Sequence, residues 1–175
     1  MAHYEQMNFV LGLKYKFPKY FYNCSVLEIG SLNINGTIRI FFDECKYIGV
    51  DIGNGKCVDV VCEGQNLNYD DNFFDTVASC ECFEHNPYWL ETFLNMYRMT
   101  KNNGLLFFTC ATTGRPEHGT IDNMKWASPL TQWNYYKNLT ENDFYEKINF
   151  NILFSDFKFI VDKSFNDLYF YGIKR

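Results

Sequence analysis

Val26-Leu-Glu-Ile-Gly30 is an apolar run that ends in a glycine, and Tyr47-Ile-Gly-Val-Asp51 is a second such run that ends in an acid. The first predicts a buried strand followed by a turn-rich loop, Ser31 to Gly36. Asp51 stands 21 residues after Gly30. In open α/β sheets, an acid that binds ribose hydroxyls typically follows the first glycine turn by roughly 20 residues. The two segments therefore predict an α/β fold with an adenosine-type ligand.

The rest of the chain continues the α/β pattern. Strands are predicted over 24–29, 46–51, 58–62, 74–80, 104–111, 157–162 and 168–173, and helices over 7–21, 37–43 and 141–150. A further helix is predicted from Asn86-Pro87 to Lys101, with apolar residues at 90, 93, 94 and 97 in helical period. This alternation predicts a mainly parallel sheet, whose last two strands are antiparallel because their connection is short. We expect one domain over 1–175, with 1–23 as an N-terminal helical extension.

Composition narrows the class of protein. The chain has 175 residues, of which 47% are hydrophobic, and carries a net charge of −5. A chain this apolar is globular, and its acidity argues against nucleic acid as a partner. No apolar run approaches the ~20 residues of a membrane span, and the start lacks the features of a secretory signal. We therefore expect a cytoplasmic protein without membrane or nucleic-acid partners; the sequence leaves its oligomeric state open.

The seven cysteines predict reduced thiols rather than disulfides or ligands. Their number is odd, and several lie in or beside apolar strand-like runs. Cys80-Glu-Cys82 has no second Cys or His pair at the spacing of zinc sites. We therefore expect no metal site.

Two common nucleotide motifs are missing from the predicted ligand loop. A dinucleotide fingerprint begun at Gly30 would need glycines where Leu32 and Asn35 stand. No glycine is followed by the Lys-Ser or Lys-Thr of a phosphate-binding loop. An NAD-dependent reductase or epimerase is therefore disfavoured, although only a hydride-transfer assay would exclude it.

The same segments resemble the class I, type 11-like, S-adenosylmethionine-dependent methyltransferases. Gly30 and Asp51 close segments similar to the family's first two motifs, and Asn72-Phe-Phe-Asp through Glu84-His85 is similar to its fourth-strand segment. Lys101-Asn-Asn-Gly104 resembles the family's turn into the fifth strand. The resemblance implies a Rossmann-like, mainly parallel seven-stranded sheet with an antiparallel C-terminal strand and helices on both faces. The chain departs from the family's Gly-x-Gly-x-Gly loop, since Ser31, Leu32 and Asn33 follow the first glycine.

The resemblance also implies a cofactor, S-adenosylmethionine, and the residues that hold it. The loop of Gly30, Ser31 and Gly36 would lie under the methionine part, with Glu28 near its amino group. Asp51 would hold the ribose, and Ile52 would pack on adenine. The remaining cofactor positions would be Glu63 and Gly64 at the adenine edge, and Cys80 and Glu81 beside the methionine.

Catalysis is expected to depend mainly on positioning of the two reactants. If the acceptor must lose a proton, a neutral imidazole at His118 or His85 has a suitable ordinary pKa. The unpatterned segment 112–139 is the expected substrate side, because long irregular loops are usually functional. We expect methyl transfer to a small molecule, with a sugar, glycan precursor or metabolite as leading choices. The alternative is a noncatalytic methyltransferase-fold subunit that binds cofactor or a protein partner.

Overall fold

A seven-stranded sheet organises the computed structural model, which describes residues 2–175. The strand order is β3-β2-β1-β4-β5-β7-β6. Strands β1 to β5 pair in parallel, while β7 runs antiparallel to both β5 and β6. The predicted sheet is therefore confirmed, including its antiparallel C-terminal strand. Its strands are β1 (Ser25–Ile29), β2 (Lys46–Asp51), β3 (Val60–Val61), β4 (Phe74–Cys80), β5 (Thr100–Ala111), β6 (Phe154–Asp162) and β7 (Asp167–Lys174).

Helices cover both faces of this sheet. They are α1 (Tyr4–Lys16), α2 (Trp89–Met99), α3 (Glu141–Tyr145) and α4 (Phe150–Leu153). Side chains of β5 contribute to the core on both faces of the sheet, because neighbouring residues in a strand point to opposite faces. Leu106 and Phe108 pack in the core with α2, α3 and α4, whereas Leu105 and Phe107 pack in the core with α1. Over residues 2–175, no helix has both the length and the apolar character needed to cross a bilayer.

The N-terminal helices are shorter than the predicted ones. The helix predicted over 7–21 is α1 followed by a separate 3-10 turn, Pro18–Tyr20. Pro18 lacks an N–H and cannot continue the α1 ladder, so it opens the new turn instead. The helix predicted over 37–43 is likewise only a 3-10 turn, Ile38–Phe41.

The helix predicted over 141–150 is split into α3 and α4. Thr140 and Asp143 form the predicted capping box at its start. The chain leaves helical geometry after Tyr145, and both Ile148 and Phe150 are buried. Those two residues would lie on opposite sides of a continuous helix, so the break allows both to reach the core.

The buried face of α2 overlaps the predicted one, since Phe93 is buried and Leu90 and Tyr97 pack against the core. Its buried side chains include Trp89, Phe93 and Met96, while Leu94 is 45% exposed. The helix begins at Trp89 rather than at Pro87 because Asn86 caps the preceding turn, where its side chain accepts the N–H of Tyr88 at 2.9 Å.

The third and fifth strands also differ in length from their predictions. Strand β3 keeps only two of the residues predicted over 58–62. Just before it, the Asp59 carboxylate accepts the N–H of Gly49 at 2.7 Å, in place of a strand carbonyl. Strand β5 begins at Thr100 rather than Gly104, since Phe74 pairs with Thr100 across a register shift.

A buried lysine joins the end of β7 to the end of α2. The ammonium of Lys174 donates to the carbonyl oxygens of Tyr97 and Thr100, both at 2.8 Å, and to Asn72 Oδ1 at 3.0 Å. The positive charge of Lys174 also interacts favourably with the helix dipole at the C-terminus of α2. Burial lowers the pKa of Lys174.

Replacing Lys174 with methionine is expected to lower the free energy of unfolding by about 2 kcal/mol, because buried carbonyl oxygens lose their donor. Urea unfolding followed by circular dichroism measures this change. Lys158→Met, on the exposed side of β6, is the matched control and should change stability little. Equal stability of the two variants would show that the Lys174 hydrogen bonds contribute nothing net.

Candidate functional site

The candidate site is a cleft at the carboxyl ends of β1, β2 and β4. Strand β1 lies between β2 and β4, so the strand order reverses direction at this point. Open α/β sheets bind ligands at such a reversal, because the loops that leave neighbouring strands separate there. The cleft encloses about 970 Å³, counted with its open mouth. This volume includes open solvent, and the loops after these strands form much of the wall.

All ten residues that the sequence assigned to the cofactor line this cleft. They are Glu28, Gly30, Ser31, Gly36, Asp51, Ile52, Glu63, Gly64, Cys80 and Glu81. They come from four separate segments, which the parallel strands bring to one edge of the sheet. Their individual roles remain predictions.

Asp51 connects the end of β2 to the loop after β1. Its two carboxylate oxygens accept the backbone N–H groups of Leu32 at 3.0 Å and Ile52 at 2.8 Å. Burial raises the pKa of Asp51, although these two hydrogen bonds oppose the shift. Because each carboxylate oxygen has more than one acceptor position, both can also accept a ligand hydroxyl.

The loop from Gly30 to Gly36 is shaped by close contacts and by side chains. Gly30 has φ +81°, and a β-carbon there would lie 2.7 Å from the Cys82 Cβ. Ser31 is buried and donates to the Cys57 carbonyl, and the Asn33 side chain accepts the Gly36 N–H at 2.9 Å. Side-chain hydrogen bonds thus hold a turn in which the family uses further glycines.

Glu28 is a buried acid in the cleft wall. Its carboxylate accepts a hydrogen bond from the Tyr47 hydroxyl at 2.7 Å. Burial raises the pKa of Glu28 to about 7, even though the Tyr47 hydrogen bond lowers it. This acid can therefore exchange its proton near neutral pH.

Glu63 and Gly64 follow β3 on the far side of the cleft. The Glu63 carboxylate accepts from the side-chain amides of Gln65 at 3.0 Å and Asn66 at 2.7 Å. A β-carbon on Gly64 would lie 2.7 Å from the Thr92 side chain of α2. The turn is therefore held against α2, and its edge faces the cleft.

Cys80 and Glu81 end β4, where the backbone turns sharply. Glu81 has φ +52°, and its carboxylate accepts the Thr109 hydroxyl at 2.9 Å. Burial would raise the pKa of Glu81, but the nearby His3 imidazolium outweighs burial and brings it to about 2. Burial raises the pKa of the Cys80 thiol, which stays protonated at neutral pH.

The structure brings the two predicted catalytic histidines together but exposes only one of them to the cleft. His85 lines the cleft, and His118 is absent from the cleft-lining residues. The two rings meet edge to face with centroids 5.0 Å apart. Burial lowers the pKa of His85 to about 3 and also lowers that of His118. Both imidazoles are therefore neutral at pH 7, and His118 packs against the histidine that lines the cleft.

Two further parts of the cleft wall were not assigned from the sequence. Ala2 and Gln6 bring the start of α1 to the cleft, and Gln6 is 1% exposed. No local signal distinguishes Gln6, because α1 also contains Glu5, Asn8, Lys14 and Lys16. The second part is the stretch 127–131 with Trp133. It lies within the long segment predicted as the substrate side, which contains one short 3-10 turn, Lys125–Ala127.

Comparison with known proteins gives one family match. Residues 29–108 match the family profile described as a methyltransferase domain. No curated protein matches the sequence.

Solved structures give the fold. One match covers 99% of both chains at TM-score 0.59 and 12% identity, in a complex between the Haloferax volcanii Trm112 methyltransferase activator and a candidate methyltransferase. A Haemonchus contortus phosphoethanolamine N-methyltransferase with S-adenosyl-L-methionine matches at TM-score 0.68 and 19% identity, over 95% of this chain and 52% of that one. A Burkholderia thailandensis 1,6-didemethyltoxoflavin N1-methyltransferase with S-adenosylhomocysteine matches at TM-score 0.66 and 13% identity, over 97% and 78%.

The structural matches cover nearly the whole chain, and the family match covers the part that forms most of the cleft. The matched segment 29–108 runs from the end of β1 into β5, so it contains the turns that form most of the cleft. The resemblance drawn from the sequence is therefore confirmed: residues 29–108 match a methyltransferase domain, within a chain that has the seven-stranded fold of the class I S-adenosylmethionine-dependent methyltransferases.

Proposed function

We propose that this chain binds S-adenosylmethionine and transfers its methyl group to a small-molecule acceptor. The observation that carries the proposal is the single cleft wall formed by all ten residues assigned to the cofactor. The methyltransferase-domain match over residues 29–108 covers every one of them except Glu28. Solved structures with similar folds contain S-adenosyl-L-methionine or S-adenosylhomocysteine, which supports the same cofactor here.

Asp51 is the proposed anchor for the ribose. Its carboxylate lies at the end of β2, fixed by two backbone N–H groups. Two adjacent ribose hydroxyls can donate to its two oxygens, and hydrogen bonds to an ionised acceptor are stronger than neutral ones. Ile52 would then pack against the adenine, with Glu63 and Gly64 at the adenine edge.

The methionine part would lie over the loop of Gly30, Ser31 and Gly36. Position 30 requires glycine, since its φ is +81° and a β-carbon there would collide with Cys82. Glu28 would face the amino group of the methionine part, whose positive charge favours the ionised carboxylate. Cys80 and Glu81 would supply backbone contacts on the opposite side.

The acceptor would enter between the cofactor and the segment 112–139. In the reaction a lone pair of the acceptor forms a bond to the methyl carbon while the carbon–sulfur bond breaks, leaving S-adenosylhomocysteine. The protein contributes mainly by aligning the two reactants and by excluding water. The contribution of the segment 112–139 to the cleft wall supports this arrangement.

His85 and His118 remain the candidate groups for handling an acceptor proton. His85 reaches the cleft, but its low pKa makes it a weak proton acceptor. It is better suited to orient an acceptor hydroxyl through a neutral hydrogen bond. His118, packed against the His85 ring, would act by positioning His85. The acceptor itself is proposed to be a sugar, glycan precursor or other metabolite.

A second candidate function is a noncatalytic subunit that binds cofactor or a protein partner. Two observations favour it: the loop after Gly30 departs from the family's glycine pattern, and a structure similar over 99% of this chain is a complex with a methyltransferase activator. Turnover by the purified chain alone would favour the enzyme. Intact cofactor binding with turnover only in the presence of a partner would favour the subunit.

Calorimetric titration with S-adenosylhomocysteine tests the cofactor site. We expect micromolar binding by the wild-type chain and binding weakened by at least about tenfold in Asp51→Ala, because the charged hydrogen bonds to ribose are lost. Asp70→Ala is the matched control, since Asp70 is exposed and outside the cleft. Absence of binding to the wild type, or equal binding by both variants, would contradict the proposed site.

A further inference from the structure

Three potential metal ligands meet at the cleft wall, where one of them, His85, lines the cleft. Glu84 and His85 belong to the 3-10 turn after β4, while His118 lies 33 residues further along, in the segment 112–139. One donor atom from each residue lies within 4.8 Å of the other two. All three side chains are buried, so water does not solvate them as it would an exposed acidic cluster.

Glu84 and His85 have polar atoms that the fold leaves without partners. Glu84 is completely buried, and among the described residues neither of its carboxylate oxygens has a hydrogen-bond partner. His85 is 5% exposed, and neither ring nitrogen has a partner among those residues. The nearest approach between them, from His85 Nε2 to Glu84 Oε1, is 3.9 Å. Buried polar groups normally form hydrogen bonds, because a buried polar group without a partner costs free energy. These unpaired atoms therefore indicate a missing ligand between the three side chains.

His118 is already oriented as metal-bound histidines usually are. Its Nδ1 lies 3.0 Å from the carbonyl oxygen of Pro116. A carbonyl oxygen can only accept, so Nδ1 carries the proton and the lone pair is on Nε2. A histidine ligand typically donates its other N–H to a carbonyl or carboxylate in this way, which fixes the ring and the tautomer.

A second cluster in the same part of the fold shows the contrasting case. His3 Nε2 lies 2.8 Å from Asp167, and Arg115 lies 3.1 Å from the other oxygen of that carboxylate. Glu81 accepts a hydrogen bond from Thr109. These acids already have cationic partners, whereas Glu84 has none among the described residues.

We propose that Glu84, His85 and His118 bind one divalent transition-metal cation of the zinc class. Two imidazoles and one carboxylate suit Zn²⁺ and its neighbours, and three protein ligands leave a fourth position for water. Tetrahedral zinc places its ligand atoms ~3.3 Å apart, so side-chain adjustments of about 1 Å would close the site. The Tyr136 hydroxyl, also buried and without a partner among residues 2–175, lies beside the His118 ring and would hydrogen-bond to that water.

The cation would attach the segment 112–139 to the end of β4. His118 is the ligand that this segment supplies, and the other two ligands belong to the turn directly after the strand. With the cation bound, His85 is a ligand and not a proton acceptor. The sequence prediction of no metal site depended on close Cys and His spacing, which cannot detect ligands from two distant segments. This inference goes beyond the proposed methyl transfer and does not depend on it.

Titration of the metal-free chain with Zn²⁺, without cofactor or acceptor, tests the site. We expect one ion per chain and a rise in the melting temperature. Glu84→Gln and His118→Gln should each weaken binding by at least about a hundredfold, because loss of even an outer partner costs 10–100-fold. Glu91→Gln, exposed on α2, is the matched control and should bind as the wild type does. Equal binding by all variants, or no binding to the wild type, would overturn the proposal.

Cobalt distinguishes this site from the cysteines. The Cys24 and Cys45 sulfurs lie 3.3 Å apart and could take up metal on their own. Thiolate ligands give Co²⁺ an intense near-ultraviolet charge-transfer absorption, which nitrogen and carboxylate ligands do not give. We expect Co²⁺ to bind the wild type without that absorption and Cys45→Ser to bind equally. A thiolate band that disappears in Cys45→Ser would overturn the proposal, and this measurement does not require the ligand variants to fold.

Discussion

Replacing His3 with glutamine is expected to lower the free energy of unfolding by about 3 kcal/mol at pH 6. Burial would lower the pKa of His3, but Asp167 at 2.8 Å and Glu81 at 3.9 Å outweigh it and raise the pKa to about 9. Glu5, at 3.2 Å from the other ring nitrogen, is the third acid around the imidazole. The folded chain therefore holds a proton that the unfolded chain releases near pH 6.5.

The sign of the pH dependence follows from this raised pKa. Below pH 6.5 the imidazole is charged in both states, and the folded state gains the full ion-pair energy. Between pH 6.5 and 9 the unfolded chain loses the proton first, so the stability from His3 decreases as the pH rises. A shift from 6.5 to about 9 corresponds to about 3 kcal/mol. The side chain is only 10% exposed, so solvent screening reduces this figure little.

Urea unfolding of wild type and His3→Gln at pH 6, 7.5 and 9 measures the effect. Lys14→Gln is a control on the same helix, because Lys14 forms an exposed ion pair with Asp43 at 2.6 Å. Exposed pairs contribute about 0–1 kcal/mol, and this one should show no change between pH 6.5 and 9. A His3→Gln difference that stays constant over that range would show that the imidazole is not charged in the fold.

The result also bears on the cleft. His3 directly precedes α1, and its charged ring can donate through Nδ1 to the Glu5 carboxylate in the first turn, at 3.2 Å. Gln6 and Ala2 form part of the cleft wall. Because the His3 ring also lies 2.8 Å from Asp167 of β7 and 3.9 Å from Glu81, directly after β4, this one side chain holds the start of the helix against the site. Loss of the imidazolium should therefore loosen one side of the cleft as well as the fold.

The sequence was sufficient to predict the centre of the sheet and the cofactor side of the cleft. Strands β1, β2 and β4 are short apolar runs with clear ends, so their bounds agree with prediction to within about one residue. The spacing from Gly30 to Asp51 is also a local signal, because a strand, a loop and a second strand fix it. Gly30 and Asp51 lie close together because the carboxyl ends of parallel strands meet at the same edge of the sheet.

Other parts of the site depend on contacts between distant segments. Nothing local distinguishes His3 from a surface histidine, and its partner Asp167 lies 164 residues away. The wall formed by 127–131 has no periodic pattern, and its position depends on packing of the whole segment 112–139. In α2, Trp89 and Met96 are buried and Leu94 is exposed, because the core that the helix packs against is built from strands and helices distant in sequence. The hydrophobic periodicity of the sequence does not predict such contacts.

Glu28→Gln is the second large expected effect, with the opposite sign. The folded chain holds a proton on Glu28 with a pKa of about 7, against 4.5 for an ordinary glutamate. Below pH 4.5 the acid is neutral in both states and burial costs no ionisation energy. As the pH rises from 4.5 to 7, the unfolded chain ionises first and the folded state loses stability relative to it. At pH 8 the ionised, buried carboxylate therefore destabilises the fold by about 3 kcal/mol.

Glutamine removes that cost without removing the hydrogen bond. Its carbonyl oxygen can still accept from the Tyr47 hydroxyl, and its amide nitrogen would meet the cleft that Glu28 lines. We therefore expect Glu28→Gln to be more stable than wild type by about 3 kcal/mol at pH 8 and equally stable at pH 4.5. Urea unfolding at the two pH values measures this difference. Glu91→Gln, on the exposed face of α2, should change neither value.

If Glu28 has a functional role, the stability that the fold loses by burying this acid should be recovered as binding energy for the cofactor. A purely structural role predicts no such gain in binding. If Glu28 faces the amino group of the cofactor, the variant that gains stability at pH 8 should also bind S-adenosylhomocysteine more weakly, because a neutral amide replaces the carboxylate. Wild-type affinity should then rise as the pH increases through 7, whereas the affinity of the variant should not. Greater stability with unchanged affinity would place the amino group elsewhere in the cleft. Greater stability with weaker binding would show that Glu28 is kept for cofactor binding although it lowers the stability of the fold. Functional sites commonly contain residues that are not the most stable choice.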